Sequence, residues 1–176
     1  LRTDTTVAQV ARDGAQWELT LSGGEAVRAG TVVNAAGAWA DEVAALCGAA
    51  PVGLVPCRRT AFTFKAPDGV DVSRWPLVAA VDERYYFKPD AGRVWVSPHD
   101  EIADVPRDAA PEEIDIAIAV DAFERACKLR VVRVERSWAG LRTFAPDRLP
   151  VYGYDGQVPG FFWCVGQGGF GIQTAP

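Results

Sequence analysis

The sequence predicts an α+β fold, largely antiparallel, in which one long helix covers a sheet. Three observations predict it. A hairpin signal opens the chain, short strands at close spacing fill its middle, and one extended helical pattern follows them. With 176 residues, 49% hydrophobic and 23% charged, the chain can bury a core and is too apolar to be disordered.

Residues 5–12 and 16–21 alternate apolar and polar side chains on either side of Asp13-Gly14, a hairpin turn. Ser22-Gly23-Gly24 makes a second turn. Residues 31–36 form a valine-rich buried strand that closes on Gly37. Residues 38–47 read as a helix with Trp39, Val43 and Leu46 on one face and Gly48 as its stop. Pro51 and Pro56 mark a crossing into a second lobe. There residues 58–65 alternate Thr60, Phe62 and Phe64 against Ala61, Thr63 and Lys65, and Asp68-Gly69 turns the chain. Residues 77–81, 85–88 and 93–97 are further strands, the last two joined through Asp90-Ala91-Gly92. Pro111-Glu112-Glu113 starts a helix, with proline and acids in its first turn. Ile116, Val120, Phe123 and Cys127 keep helical spacing along it. Residues 129–137 return as a strand. After Gly153, Asp155-Gly156 and Pro159-Gly160, residues 161–165 form a short apolar strand. That strand delivers the chain to a glycine-rich turn that opens a helix.

Composition narrows the functions. A net charge of −5 without a basic stripe excludes a nucleic-acid partner. Arg58-Arg59 and Arg130, Arg133 and Arg136 read as a solvated sheet face. No apolar run reaches the roughly 18–20 residues of a membrane span. Cys47, Cys57, Cys127 and Cys164 form no C-x-x-C pair and His99 is the single histidine, so no metal site is expected. The cysteines read as small buried hydrophobes of a reducing compartment, which points to the cytoplasm. No Ser-His-Asp arrangement or phosphate-binding loop with a lysine is present.

Two stretches carry chemistry. Trp138-Ala139-Gly140-Leu141-Arg142-Thr143-Phe144-Ala145-Pro146-Asp147 sets an arginine in an apolar strand, where it needs an anionic partner. A guanidinium holds a carboxylate bidentately. The competing reading is an internal salt bridge. Val165 to Pro176 supplies Gly166, Gly168, Gly169 and Gly171, which let backbone N–H groups approach an anion or a ring. The competing reading there is a surface loop. Small residues in Val32-Val33-Asn34-Ala35-Ala36-Gly37-Ala38-Trp39-Ala40-Asp41 leave room for a cofactor, or for a tight packing corner.

Together these stretches resemble the FAD-dependent amino-acid oxidoreductases of the D-amino-acid oxidase type, the group of glycine oxidase, sarcosine oxidase and D-amino-acid dehydrogenase. The resemblance covers nearly the whole chain, with specific motifs at its two ends. It implies FAD contacts at Ala35, Ala36, Gly37 and Trp39 on the adenosine side. It implies contacts at Gly168, Gly169, Gly171, Ile172 and Gln173 on the isoalloxazine side. It implies that Arg142 anchors a substrate carboxylate, and that an aromatic residue of the middle sheet faces the substrate. Tyr85 and Tyr86 point to opposite faces, and Tyr86 is preferred; core packing is the alternative for it and for Trp95. Thr143 stands where the family has proline, and Gln167 and Phe170 where it has histidine-like polar residues. Gly140 stands where some members attach flavin through cysteine, so the flavin is expected to be non-covalent.

The implied reaction is oxidation of a small amino acid or secondary amine by hydride transfer to flavin, which needs no catalytic side chain. The alternatives are a FAD-dependent 2-hydroxy-acid dehydrogenase, in which His99 serves as base, and an inactive substrate-lobe module. The chain has no methionine and no Gly-x-Gly-x-x-Gly after a first strand. We therefore expect a fragment that lacks the dinucleotide motif and holds FAD poorly by itself. Residues 1–50 are expected to be part of a FAD-binding lobe, 51–136 a substrate lobe, and 137–176 a return to the FAD lobe. The sequence assigns no oligomeric state.

Overall fold

The computed structural model describes residues 1–127 and 129–175. The chain divides into two compact units, Leu1–Pro56 with Arg142–Pro176, and Cys57–Leu141. Both units are mixed α and β, and all strand pairings but one of those given by residue are antiparallel.

In the first unit, β1 (Val7–Asp13) and β2 (Gln16–Leu21) form the expected hairpin. β3 (Ala26–Ala29) adds to the far edge of β2. Trp17 anchors this sheet and is 1% exposed. Its Nε1 donates to the Gly160 carbonyl at 3.2 Å, and the Arg12 guanidinium covers its ring at 4.1 Å. Gly160, at φ 77°, permits that approach: a Cβ there would lie 2.8 Å from the Gly30 carbonyl oxygen.

A second sheet of this unit has the order β11 (Val151–Tyr154), β12 (Phe161–Val165), β4 (Val32–Asn34), with β12 and β4 parallel. β4 is shorter than the expected 31–36, and Val33 is exposed. A 3-10 turn, Gly37–Trp39, leads into α1 (Ala40–Leu46). The expected face of Trp39, Val43 and Leu46 is corrected: Ala40 and Ala44 are fully buried, whereas Trp39 and Leu46 are exposed. Small alanines let the short helix lie close on the core, so the large side chains turn outward. Gly48, at φ 75°, ends the helix as expected. Its N–H donates to Ala45 O at 3.1 Å and the Ala49 N–H to Ala44 O at 2.9 Å. Burial in this core pushes the Cys47 thiol pKa up.

Asp155 braces β12. It accepts from Trp163 Nε1 at 3.0 Å and from the N–H groups of Gln157 and Val158. The bond from Trp163, then that from the Gln157 backbone, holds the carboxyl below its ordinary range.

The second unit is a sheet under a helix. Its strands are β5 (Val55–Lys65), β6 (Val78–Ala79), β7 (Tyr86–Asp90), β8 (Arg93–Ser97), β9 (Ile102–Ala103) and β10 (Val134–Phe144), of which Val55, Pro56 and the end of β10 from Arg142 onward belong to the first unit. The order is β10-β5-β8-β7-β6, with β9 on β5. Ala91 and Gly92, at φ 47° and 79°, give the left-handed pair that a two-residue hairpin needs. β5 is buried from Pro56 to Phe64, so its alternation separates two covered faces. α2 (Glu113–Cys127) sets Phe123 edge-on to Phe64 at 5.2 Å and Phe87 at 5.1 Å.

Three strand-level expectations are corrected. Of residues 77–81 only Val78 and Ala79 pair, and Leu77 and Val81 are exposed. The returning strand starts at Val134, because α2 holds the residues before it: Glu124 accepts from Arg130 and from the Val131 N–H. Arg58 and Arg59 are buried, not on a solvated face. Arg58 pairs with Glu112 and donates to Asp115 at 2.8 Å, which explains a buried carboxylate in the first turn of α2. Arg59 donates to the Asp100 carbonyl and to Glu101 at 3.0 Å.

Phe123→Ala should lose about 3–5 kcal/mol of unfolding free energy in urea, while Ile118→Ala, on the exposed side of α2, should stay within about 0.5 kcal/mol. A Phe123→Ala loss no larger than that of Ile118→Ala would contradict this core. Asp155 also predicts a pH effect. Its folded pKa is depressed, so its contribution is present above about pH 4 and is lost as pH falls through the folded value. Asp155→Asn should therefore be less stable than the parent near neutrality, with the gap closing in acid; a gap constant with pH would refute the assignment.

Candidate functional site

The corner after β4 is built by Asn34, which is 2% exposed. Its Nδ2 donates to Ala40 O at 2.8 Å, and its Oδ1 accepts the Ala36 N–H at 3.3 Å. Gly37 sits inside this corner at φ 56°, with nothing within 4 Å of where a Cβ would stand. Ala35 and Trp39 are exposed, and Ala36 and Gly37 half-buried. Asp41 then ties the corner to a loop, accepting the N–H groups of Val52, Gly53 and Leu54 at 2.8–3.1 Å. Neither Asn34 nor Asp41 was assigned a role from sequence. The acid at 41 has the look of an ordinary first-turn charge, and its partners are eleven to thirteen residues away.

The glycine turn follows β12. Gly168 is buried at φ 56° and donates its N–H to Thr143 O at 3.0 Å. A Cβ on Gly168 would stand 2.7 Å from Phe144 Cδ1. Gly169 is exposed at φ 105°, and a Cβ there would stand 2.8 Å from Arg142 Cζ and 3.2 Å from its Nε. Arg142 and Phe144 both come from the end of β10, so that end and the glycine turn are packed face to face. Where a helix is expected after the turn, the described residues make one helix-type turn. Residues 171–174 are an exposed turn with the Thr174 N–H on Phe170 O at 3.0 Å, and Gly168 and Gly169 lie outside helical φ. Gly171, Ile172 and Gln173 are therefore surface positions, and Pro176 lies outside the described residues.

The register of β12 on β4 pairs Phe161 with Val32 and Trp163 with Asn34. Because the two strands are parallel, the Gly37 corner and the Gly166–Gly169 turn leave the same end of the pair. The crevice beyond the carboxyl ends of parallel strands is where such sheets bind ligands.

Tyr86 belongs to the second unit. Its ring lies 5.1 Å from Trp95 and edge-on to His99 at 5.4 Å. Tyr85 turns to the opposite face and stacks on Phe87 at 6.3 Å, as strand alternation requires. His99 Nδ1 is 2.9 Å from Glu83 O, and since a carbonyl only accepts, Nδ1 is the donor. The four cysteines are free thiols. Among the described residues, no group of three or more His, Cys, Asp or Glu is set to hold a metal, and no helix is long and apolar enough to cross a membrane.

The sequence model of the FAD dependent oxidoreductase family matches residues 1–176. The chain belongs to that family. This FAD dependent oxidoreductase chain is 28% identical over 147 residues to hydrogen cyanide synthase subunit HcnC of Pseudomonas aeruginosa, across 82% of this chain and 34% of that protein. It is 27% identical over 172 residues to FAD-dependent oxidoreductase domain-containing protein 1 of Bos taurus, across 85% and 34%. Its fold is similar to part of glycine oxidase from Geobacillus kaustophilus, with a TM-score of 0.78 at 24% identity over 96% of this chain and 44% of that one. L-proline dehydrogenase from P. horikoshii gives 0.81 at 22% identity over 98% and 46%. The chain thus spans about a third of the length of the curated relatives it matches.

Asp41→Ala frees three backbone donors at once. It should destabilise the protein by about 2 kcal/mol or more and speed hydrogen exchange at residues 52–54. Unchanged exchange at those amides would show that the carboxylate does not hold the loop.

Proposed function

We propose that this chain forms part of a FAD-dependent oxidoreductase acting on a small amino acid or secondary amine that carries a carboxylate. One observation carries the reading: in a chain of this family, two glycine-bearing turns leave the same end of the β4–β12 pair. Residues 1–50 and 137–176 then belong to the FAD-binding lobe, and 51–136 to the substrate lobe.

The residues present fit the cofactor. Gly37 has open space where a side chain would be, beside exposed Ala35 and half-buried Ala36, so the corner leaves room for the adenosine half, with Trp39 at its margin. On the other side the N–H of Gly168 already serves Thr143. Gly168 therefore shapes the turn, and Gly169, Gly171, Ile172 and Gln173 meet the isoalloxazine edge. FAD, held non-covalently, supplies the electron sink for the pair leaving the substrate α-carbon. Arg142 holds the substrate carboxylate through its planar fork, and Tyr86 packs against the substrate. No side chain of the chain is required to take a proton. The free state of all four cysteines supports a cytoplasmic setting.

A second reading, 2-hydroxy-acid oxidation, draws on His99, whose Nδ1 is bonded to Glu83 O and whose ring lies edge-on to Tyr86. It predicts that His99→Gln abolishes turnover, whereas amine oxidation is indifferent to it.

The test uses the natural protein that carries this chain, with the 176-residue chain beside it. The natural protein should purify yellow or become so with FAD, and lose its visible absorbance without oxygen when a D-amino acid or N-methyl glycine is added. Arg142→Met should raise KM for such substrates about 100-fold. The 176 residues alone should hold FAD poorly. A natural protein that stays colourless in excess FAD would sink the proposal.

A further inference from the structure

We propose that Gly169 is a positioning residue: the missing side chain there sets where the Arg142 guanidinium lies, and so where a carboxylate is held. The inference rests on reading Arg142 as the carboxylate anchor.

The two neighbouring glycines are bare for different reasons. A Cβ on Gly168 would stand 2.5 Å from Phe144 Cε1 and 2.7 Å from Cδ1. That ring is 5% exposed and carries the Arg148 guanidinium at 4.2 Å, so it has little freedom to give way. Gly168 is therefore a position for stability. A Cβ on Gly169 meets instead the far end of Arg142: Nη1 most closely, then Cζ at 2.8 Å and Nε at 3.2 Å. These atoms are the far end of a flexible side chain, so the guanidinium rather than the backbone is what a side chain at 169 would move. Gly169 is exposed, so burial does not require glycine here, although its φ of 105° favours one. A methyl group at 169 would therefore displace the fork, and it would also strain a backbone held at φ 105°. Bidentate recognition is strict about position, and a shift of about 1 Å can cost about a hundredfold in a site of this kind. Three consecutive residues of β10 grip the turn, Arg142 on Gly169, the Thr143 carbonyl on the Gly168 N–H, and Phe144 on Gly168. The anchor and the turn are thus built as one piece.

The test is calorimetric titration of the natural protein with benzoate, and with benzamide as its uncharged match. Wild type should bind benzoate in preference to benzamide, and Arg142→Met should abolish that preference. Gly169→Ala should weaken benzoate tenfold or more and benzamide far less, while Tm falls in both Gly168→Ala and Gly169→Ala, since both glycines have positive φ. Gly156→Ala, at a glycine with ordinary φ and nothing within 4 Å, should bind benzoate like wild type. Wild-type benzoate affinity in Gly169→Ala, or benzoate and benzamide weakened there by the same factor, would overturn the inference with the anchor intact. Absence of benzoate preference in wild type, or its survival in Arg142→Met, would overturn the anchor itself.

Discussion

The parallel pairing of β4 with β12 joins the early part of the chain to its end, and the first unit depends on it. Neither strand is long: β4 has three residues and β12 five. Their register is held from outside the ladder. Trp17 and Arg12 seize the carbonyls of Gly160 and Pro159 just before β12, and Asp155 holds Trp163 within it. With β12 placed in this way, the chain leaves β4 and β12 in the same direction, and two turns poor in side chains emerge together. A parallel pair does this without further design; an antiparallel pair would send them to opposite ends.

The two turns are made rigid by different chemistry. The Gly37 corner is closed by polar groups, with Asn34 bonded across it and Asp41 drawing residues 52–54 against α1. The Gly166–Gly169 turn is closed by packing, with a ring and a guanidinium from β10 lying where side chains would otherwise be. Left-handed backbone at Gly168 and Gly169 gives the turn its path, and the absent Cβ atoms let β10 approach. Rigid turns are what a site for an extended, precisely oriented cofactor needs, since its contribution depends on position more than on side-chain acids and bases.

Much of this was legible in the sequence wherever the signal was local. The Asp13-Gly14 hairpin, the Gly48 stop, the Ala91-Gly92 turn and the strand Arg93–Ser97 all follow from residues within a few positions of one another. So do α2 and its buried Phe123, which spacing alone indicates. Expectations failed where distant partners decide. The buried face of α1 is set by how close the sheet lies, which selected Ala40 and Ala44 over Trp39 and Leu46. Arg58 and Arg59 resemble surface charges until α2 and the segment at residues 100–101 bring them carboxylates and a carbonyl. The missed strands β3, β9 and β11 are two to four residues long, too short to show a period. For the candidate site, the glycines at 37, 168 and 169 stood out by composition. That Arg142 lies on one of them was invisible, because 27 residues separate the two in sequence.

The most direct measurement is an experimental structure of the natural protein carrying this chain, with FAD bound. The adenosine half should lie along Ala35–Gly37 and the edge of the isoalloxazine ring against residues 169–173, both beyond the carboxyl ends of β4 and β12. Cofactor density at the opposite end of that strand pair, or away from both turns, would contradict this account.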